Sequence, residues 1–233
     1  GDFMLHTIQA ELYQLVRSKL FWLIEGLLFF LIFISSLGER NFNFYISTSS
    51  DPEEIVIQGW TGFEALGQLA KDFLPFVMIT VLVLIIFLLG RDLTRKLYKN
   101  ILASGVSRKE FYLSKIAVLV IIIIFQLVAA FAIAFIFGSL FHGLGTMPKN
   151  FFWSFSLSFF RSLLFIMTCS SVVTCLLYLT RSTLASYLVF FALIMLQSSL
   201  VIVFPQINSE LFLFLILAGS LLGGYQAFQH RDL

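Results

Sequence analysis

The stretch IAVLVIIIIFQLVAAFAIAFIFGSLF, residues 116–141, decides the class of this protein. It opens the longest charge-free run of the chain, residues 116–148. At about 1.5 Å per residue, a helix over it is longer than the roughly 30 Å hydrocarbon layer of a bilayer. A soluble core helix has no use for that length. Five similar stretches accompany it, at about 20–37, 73–90, 151–180, 183–204 and 211–228. The chain therefore reads as an all-α integral membrane protein with six transmembrane helices.

Composition points the same way. Apolar residues make up 59% of the 233 residues and charged residues 12%, against roughly 45–50% and 25% in soluble domains. That length leaves room for a single membrane domain, residues 4–233, and for no large soluble one. Gly1, Asp2 and Phe3 read as a cloning remnant ahead of Met4. Cys169 and Cys175 lie six apart in one apolar segment, hence on different helix faces, and no disulfide is expected between them. No cleavable signal peptide is expected, because the first span lacks a small-residue cleavage site.

Six spans put both termini on one side, and the basic residues say which. With the termini cytoplasmic, the inner segments hold Arg17, Lys19, Arg91, Arg95, Lys96, Lys99, Arg108, Lys109, Lys115, Arg181 and Arg231. The outer loops hold Arg40, Lys71 and Lys149. The acids Asp51, Glu53, Glu54, Glu64 and Asp72 fall outside. The expected location is a plasma membrane, multi-pass, in a bacterium.

Three non-spanning regions follow. Residues 4–19 predict an amphipathic interfacial helix, with Leu5, Ile8, Leu12, Leu15 and Val16 at helical spacing. It reads either as a membrane anchor or as a docking surface for a cytosolic partner. In residues 91–115, the second helix continues through Leu93, Leu97, Ile101 and Leu102. Ser104 and Gly105 then supply a stop. Ser107 to Glu110 is a capping box that starts the third helix. Seven of the fifteen basic residues sit here. Contact with anionic lipid is one reading of them. A capped, rigid elbow that receives force from a soluble protein is the other. In the outer loop 38–71, Trp60, Phe63, Leu66 and Leu69 predict a short helix lying at the outer interface, with Trp60 in the aromatic belt.

The chain has no Gly-x-x-x-x-Gly-Lys-Ser/Thr phosphate loop, so ATP is not bound that way. His6, His142 and His230 lack partners at ligand spacing, and no metal site is expected. No catalytic set can be assembled, and no nucleic-acid partner is expected. Glu25 and Arg161 are the charges within spans, and intramembrane ionisable residues are functional candidates. Each reads as a structural ion-pair member, a snorkelling group or part of a substrate path. Gln126 and Gln197 are expected to hydrogen-bond between helices. Gly219, Gly223 and Ala227 form one small-residue face, and Ala130, Ala134 and Gly138 another. Both suit close helix packing, within the subunit or between subunits.

One family fits these parts together. The turn KNILASGVSRKEFYLSK, residues 99–115, and the closing FQHRDL, residues 228–233, resemble the permease subunits of type 2 ATP-binding-cassette exporters, the ABC-2 permease family. The resemblance implies a pair of permease chains, identical or related, each docked on a separate ATPase chain that holds ATP and Mg. It implies no cofactor on this chain and no catalysis by it. It makes Lys99, Asn100, Ile101, Leu102, Ser104, Gly105, Ser107 and Arg108 the coupling turn, with the N-terminal helix as a second contact. It implies export of a peptide, antimicrobial compound or other amphiphile, in contact with membrane lipids. Larger members carry a re-entrant helical pair before the last span, for which residues 205–210 are too short. A membrane enzyme acting on lipid and a non-transporting sensor or immunity scaffold are the competing expectations.

Overall fold

A computed structural model describes residues 2–37, 60–94, 107–180, 182, 184–188, 191 and 210–229. Among these residues every regular element is helical. The order is α1 (Asp2–Val16), α2 (Lys19–Leu37), α3 (Gly62–Gln68), a π-helical turn (Leu69–Phe73), α4 (Leu74–Thr94), α5 (Arg108–His142), α6 (Phe151–Thr180) and α7 (Glu210–Gln229). Four of these helices are long and apolar enough to cross a membrane: α2, α5, α6 and α7. The apolar part of α4, Leu74–Gly90, is shorter. Of the expected fifth span, 184–188 is helical and most of the rest lies outside the described residues.

The helix boundaries follow from local chemistry. Ser18 separates α1 from α2, and its Oγ accepts from Phe21 N at 3.1 Å, satisfying a free amide of the first turn of α2. The Trp22 indole donates to the Val16 carbonyl at 2.8 Å, closing the other side of that corner. α5 starts at a capping box: Ser107 Oγ accepts from Glu110 N at 3.2 Å, and Glu110 Oε2 accepts from Ser107 N at 3.2 Å.

α5 is the axis of the bundle, about 50 Å long by its rise, and it touches α1, α2, α3, α4, α6 and α7. Its contact with α2 is an aromatic ladder. Phe137 meets Phe29 and Phe33 edge-on at 5.1 and 5.2 Å between centroids. The outward faces stay apolar: Trp22, Leu23 and Phe30 on α2 and Leu211, Leu215 and Leu222 on α7 are exposed. Water would penalise such a surface, whereas lipid tails accept it.

The expected interfacial helix near Trp60 is placed differently. α3 packs into the bundle against α5 and runs on through the π-turn into α4, with helical backbone at Gln68, Leu69 and Leu74. Trp60 is buried and meets Phe73 edge-on at 5.5 Å, so it serves no aromatic belt. The close approach falls at a glycine of α5. A Cβ on Gly138 would lie 3.1 Å from Ala65 Cβ and 3.2 Å from the Trp60 carbonyl. With only hydrogen there, α3 approaches closely enough to be swallowed.

The far end is tied by the loop after α5. Gly62 N and Phe63 N donate to the Gly143 and Leu144 carbonyls at 3.0 and 3.2 Å. Gly145 has φ +73°, and a Cβ there would overlap the Thr61 side chain. His142 Nε2 lies 3.0 Å from the Ser36 carbonyl, joining the same end of α2.

Candidate functional site

The first two turns of α5 gather the polar contacts of one end of the bundle. α1 lies against them, with Ile8 and Leu15 buried among Phe21, Ile24, Leu84, Leu88, Val118 and Ile122. α1 is thus a packed element of the bundle; Val16, assigned to its apolar face in sequence, is exposed. Lys115, counted in sequence as a basic loop residue, is 2% exposed and forms an ion pair with Glu11 of α1. Its Nζ also stands 5.2 Å from the Phe111 ring centroid. A buried ammonium is tolerable only with such partners.

The same turns hold the end of α7. Arg108 Nη1 donates to the Gln229 carbonyl at 2.6 Å, a cation on a helix C-terminus where the dipole favours it. One turn on, the Tyr112 hydroxyl donates to the Leu221 carbonyl at 2.9 Å. Tyr112, Tyr178, Tyr225 and Phe228 close around it, with centroid separations of 5.4 to 6.4 Å. Helices α1, α5, α6 and α7 are therefore locked together at the end where the sequence places the elbow. Of the expected coupling residues, Ser107 and Arg108 are in this cluster. Lys99, Asn100, Ile101, Leu102, Ser104 and Gly105 lie outside the described residues.

The intramembrane polar groups find partners that are distant in sequence. The Gln126 amide, fully buried on α5, donates to Glu25 of α2. Arg161 Nε donates to Glu210 Oε1 at 2.7 Å. Glu210 is the first residue of α7, so Arg161, ten residues into α6, stands level with the start of its neighbour. Both side chains of this pair are exposed, 62% and 53%. Further along, Ser171 Oγ and Ser220 Oγ share a hydrogen bond of 2.6 Å. Gln197 lies outside the described residues.

The two small-residue faces separate. Ala130, Ala134 and Gly138 are buried within the subunit, Gly138 against α3. On α7, a Cβ on Gly223 would lie 3.5 Å from Cys175 Sγ, and Ala227 packs against the core. A Cβ on Gly219 would meet nothing within 4 Å among the described residues beyond its own helix backbone. The tightest approach on α7 belongs to Gly224, which sequence reading passed over: a Cβ there would lie 2.9 Å from the Tyr112 hydroxyl. Both cysteine thiols are free.

A family profile described as ABC-2 family transporter protein matches residues 7–197. This chain belongs to the ABC-2 transporter family. No curated protein and no solved structure matched it. Membership makes this ABC-2 chain the membrane component of a transporter and implies an ATP-binding-cassette ATPase as its partner. The matched residues include α1 from its second turn and all of α5 and α6, which build the locked end together with α7, a helix that lies beyond the match.

Sequence reading missed the roles of Glu11, Lys115, Glu210 and Gly224. Glu11 and Lys115 carried a weak signal, an acid on an amphipathic helix and a base at the very edge of a span. Glu210 and Gly224 carried none that spacing alone could separate from their neighbours.

Proposed function

We propose that this chain is the permease subunit of an ATP-driven exporter, with six spans and both termini cytoplasmic in a bacterial plasma membrane. Two permease chains form the pathway for an amphipathic or hydrophobic substrate. Each docks on a separate ATPase through the turn ending at Ser107, with α1 as the second contact. ATP and Mg reside on that partner.

The observation that carries this reading is the lock at the start of α5. A push on the turn meets a capped helix end, at Ser107 and Glu110. The ion pair to Glu11 and the Arg108 bond to Gln229 pass the displacement to α1 and α7. A 35-residue helix then carries it through the bundle. A loop that served only to hold the chain in anionic lipid would need charge but no such bracing.

The test replaces Gly105 with Val in the assembled transporter. The sequence leads us to expect a left-handed residue at Gly105, and a β-branched side chain is strained in that conformation. ATPase binding or substrate-stimulated hydrolysis is expected to fall while membrane insertion persists. Unchanged coupling in an assembled variant contradicts the elbow.

A further inference from the structure

We infer that the end of the bundle opposite α1 carries a pocket for the ammonium head group of a cationic amphiphile, set between α3 and α6. The pocket encloses about 230 Å³, and its walls include Phe63 and Glu64 of α3 and Phe151, Ser154, Phe155 and Ser158 of α6. Phe63 meets Phe151 edge-on at 4.9 Å between centroids, and Phe151 stacks on Phe155 at 5.8 Å. Three phenyl rings, Phe151 in contact with each of the other two, beside one carboxylate form surroundings that suit an organic cation, through the ring quadrupoles and the opposite charge.

The sign of the charge is set by Glu64, the one ionisable side chain among the described residues that line the pocket. Lys149 follows Pro148 in sequence but is exposed and does not line it. Glu64 Oε2 accepts from Thr61 N at 3.2 Å, and among the described residues Oε1 accepts no hydrogen bond. The Glu64 carboxylate shares the pocket lining with Ser154 and Ser158, whose hydroxyls add polar partners to it.

Size sets the rest. Pockets that take a whole drug-sized molecule span roughly 300–1,000 Å³. At about 230 Å³ this one admits a head group and leaves a long tail outside. The tail has a surface to follow: Phe152 of α6, whose ring meets Phe151 of the pocket at 5.7 Å between centroids, is 73% exposed. The occupant is therefore an amphiphile that keeps its chain in lipid and seats its ammonium among the rings. Occupation needs no ATP and no contact with the coupling turn. Its failure would leave the permease reading intact, and the reverse also holds.

Equilibrium dialysis of the full chain in maltoside micelles against labelled dodecyltrimethylammonium tests this. Saturable binding is expected, displaced by excess tetramethylammonium and not by dodecyl glucoside, which has the same tail and no charge. Glu64→Gln keeps the acceptor for Thr61 N and is expected to weaken binding about tenfold, whereas Glu64→Asp keeps the charge and is expected to retain it. Phe151→Leu is expected to weaken it likewise. Equal competition by dodecyl glucoside, or unchanged affinity in Glu64→Gln, overturns the site; the competition arm needs no variant. Displacement by tetramethylammonium alone separates recognition of the head group from partition of the tail.

Discussion

Lys115 of α5 and Glu11 of α1 form an ion pair across 104 residues of sequence, with the lysine 2% exposed and the glutamate 12%. This contact fastens the N-terminal helix to the bundle axis. Removing one member of a buried pair typically costs about 3–5 kcal/mol, because the other charge loses its compensation. Glu11→Gln is therefore expected to lower the melting temperature of the purified chain. The exchange Glu11→Lys with Lys115→Glu is expected to recover much of the loss. A Glu11→Gln variant as stable as the wild type would mean the pair does not hold α1 in place.

Arg161 and Glu210 make the contrasting case, since both are exposed. Exposed pairs are worth about 0–1 kcal/mol in water. Charges facing hydrocarbon cannot stay unpaired so cheaply. Arg161→Gln and Glu210→Gln are each expected to reduce yield and thermal stability, and the double variant to be no worse than either single one. Additive losses in that cycle, measured by thermal melting in lipid nanodiscs, would rule out a functional contact between them. Normal stability with altered export in Arg161→Gln would move the residue into the substrate path.

Glycine positions give predictions of graded size. Gly138→Val drives two methyl groups into Ala65 and the backbone of Trp60 and Thr61, so α3 must separate from α5. A loss of several kcal/mol, at least on the scale of about 1–3 kcal/mol seen for overpacked cores, is expected. Gly224→Ala is expected to break the Tyr112 bond to Leu221. Gly219→Ala is expected to leave the melting temperature of the single chain unchanged, since a Cβ there meets nothing among the described residues. If Gly219→Ala instead shifts the paired form toward monomer in cross-linking, that face belongs to the interface between permease chains.

Much of this architecture was legible from local pattern. Hydropathy located α2, α5, α6 and α7, because lipid imposes long apolar runs that no soluble constraint imitates. The capping box at Ser107 and Glu110 was readable because both partners lie within one turn. What escaped depended on residues far apart in the chain. The burial of Trp60 goes with a close approach of its backbone to Gly138, and no spacing rule connects the two. Lys115 was counted with the loop cations, because position at the edge of a span does not reveal that Glu11 reaches it. The tight face of α7 was read one position off, at Gly223 instead of Gly224, since a run of neighbouring glycines blurs helical phase. The polar pair Glu25 and Gln126 was visible as two residues and not as a bond.

Topology is checked from the two faces of intact cells. In a background lacking Cys169 and Cys175, cysteines placed at Ser49 and at Ser104 are expected to label from opposite sides. Labelling of both by an impermeant reagent added outside contradicts the six-span arrangement with cytoplasmic termini, and the elbow with it.

The most direct measurement places a photo-crosslinking amino acid at Ser104 in the native complex and identifies the captured chain by mass spectrometry. Capture of a chain carrying a Gly-x-x-x-x-Gly-Lys-Ser/Thr phosphate loop is expected from Ser104 and not from Ser49. A complex that contains no such ATPase, or one in which Ser49 captures it and Ser104 does not, contradicts the assignment of this chain as an ATP-coupled permease that receives its stroke at the start of α5.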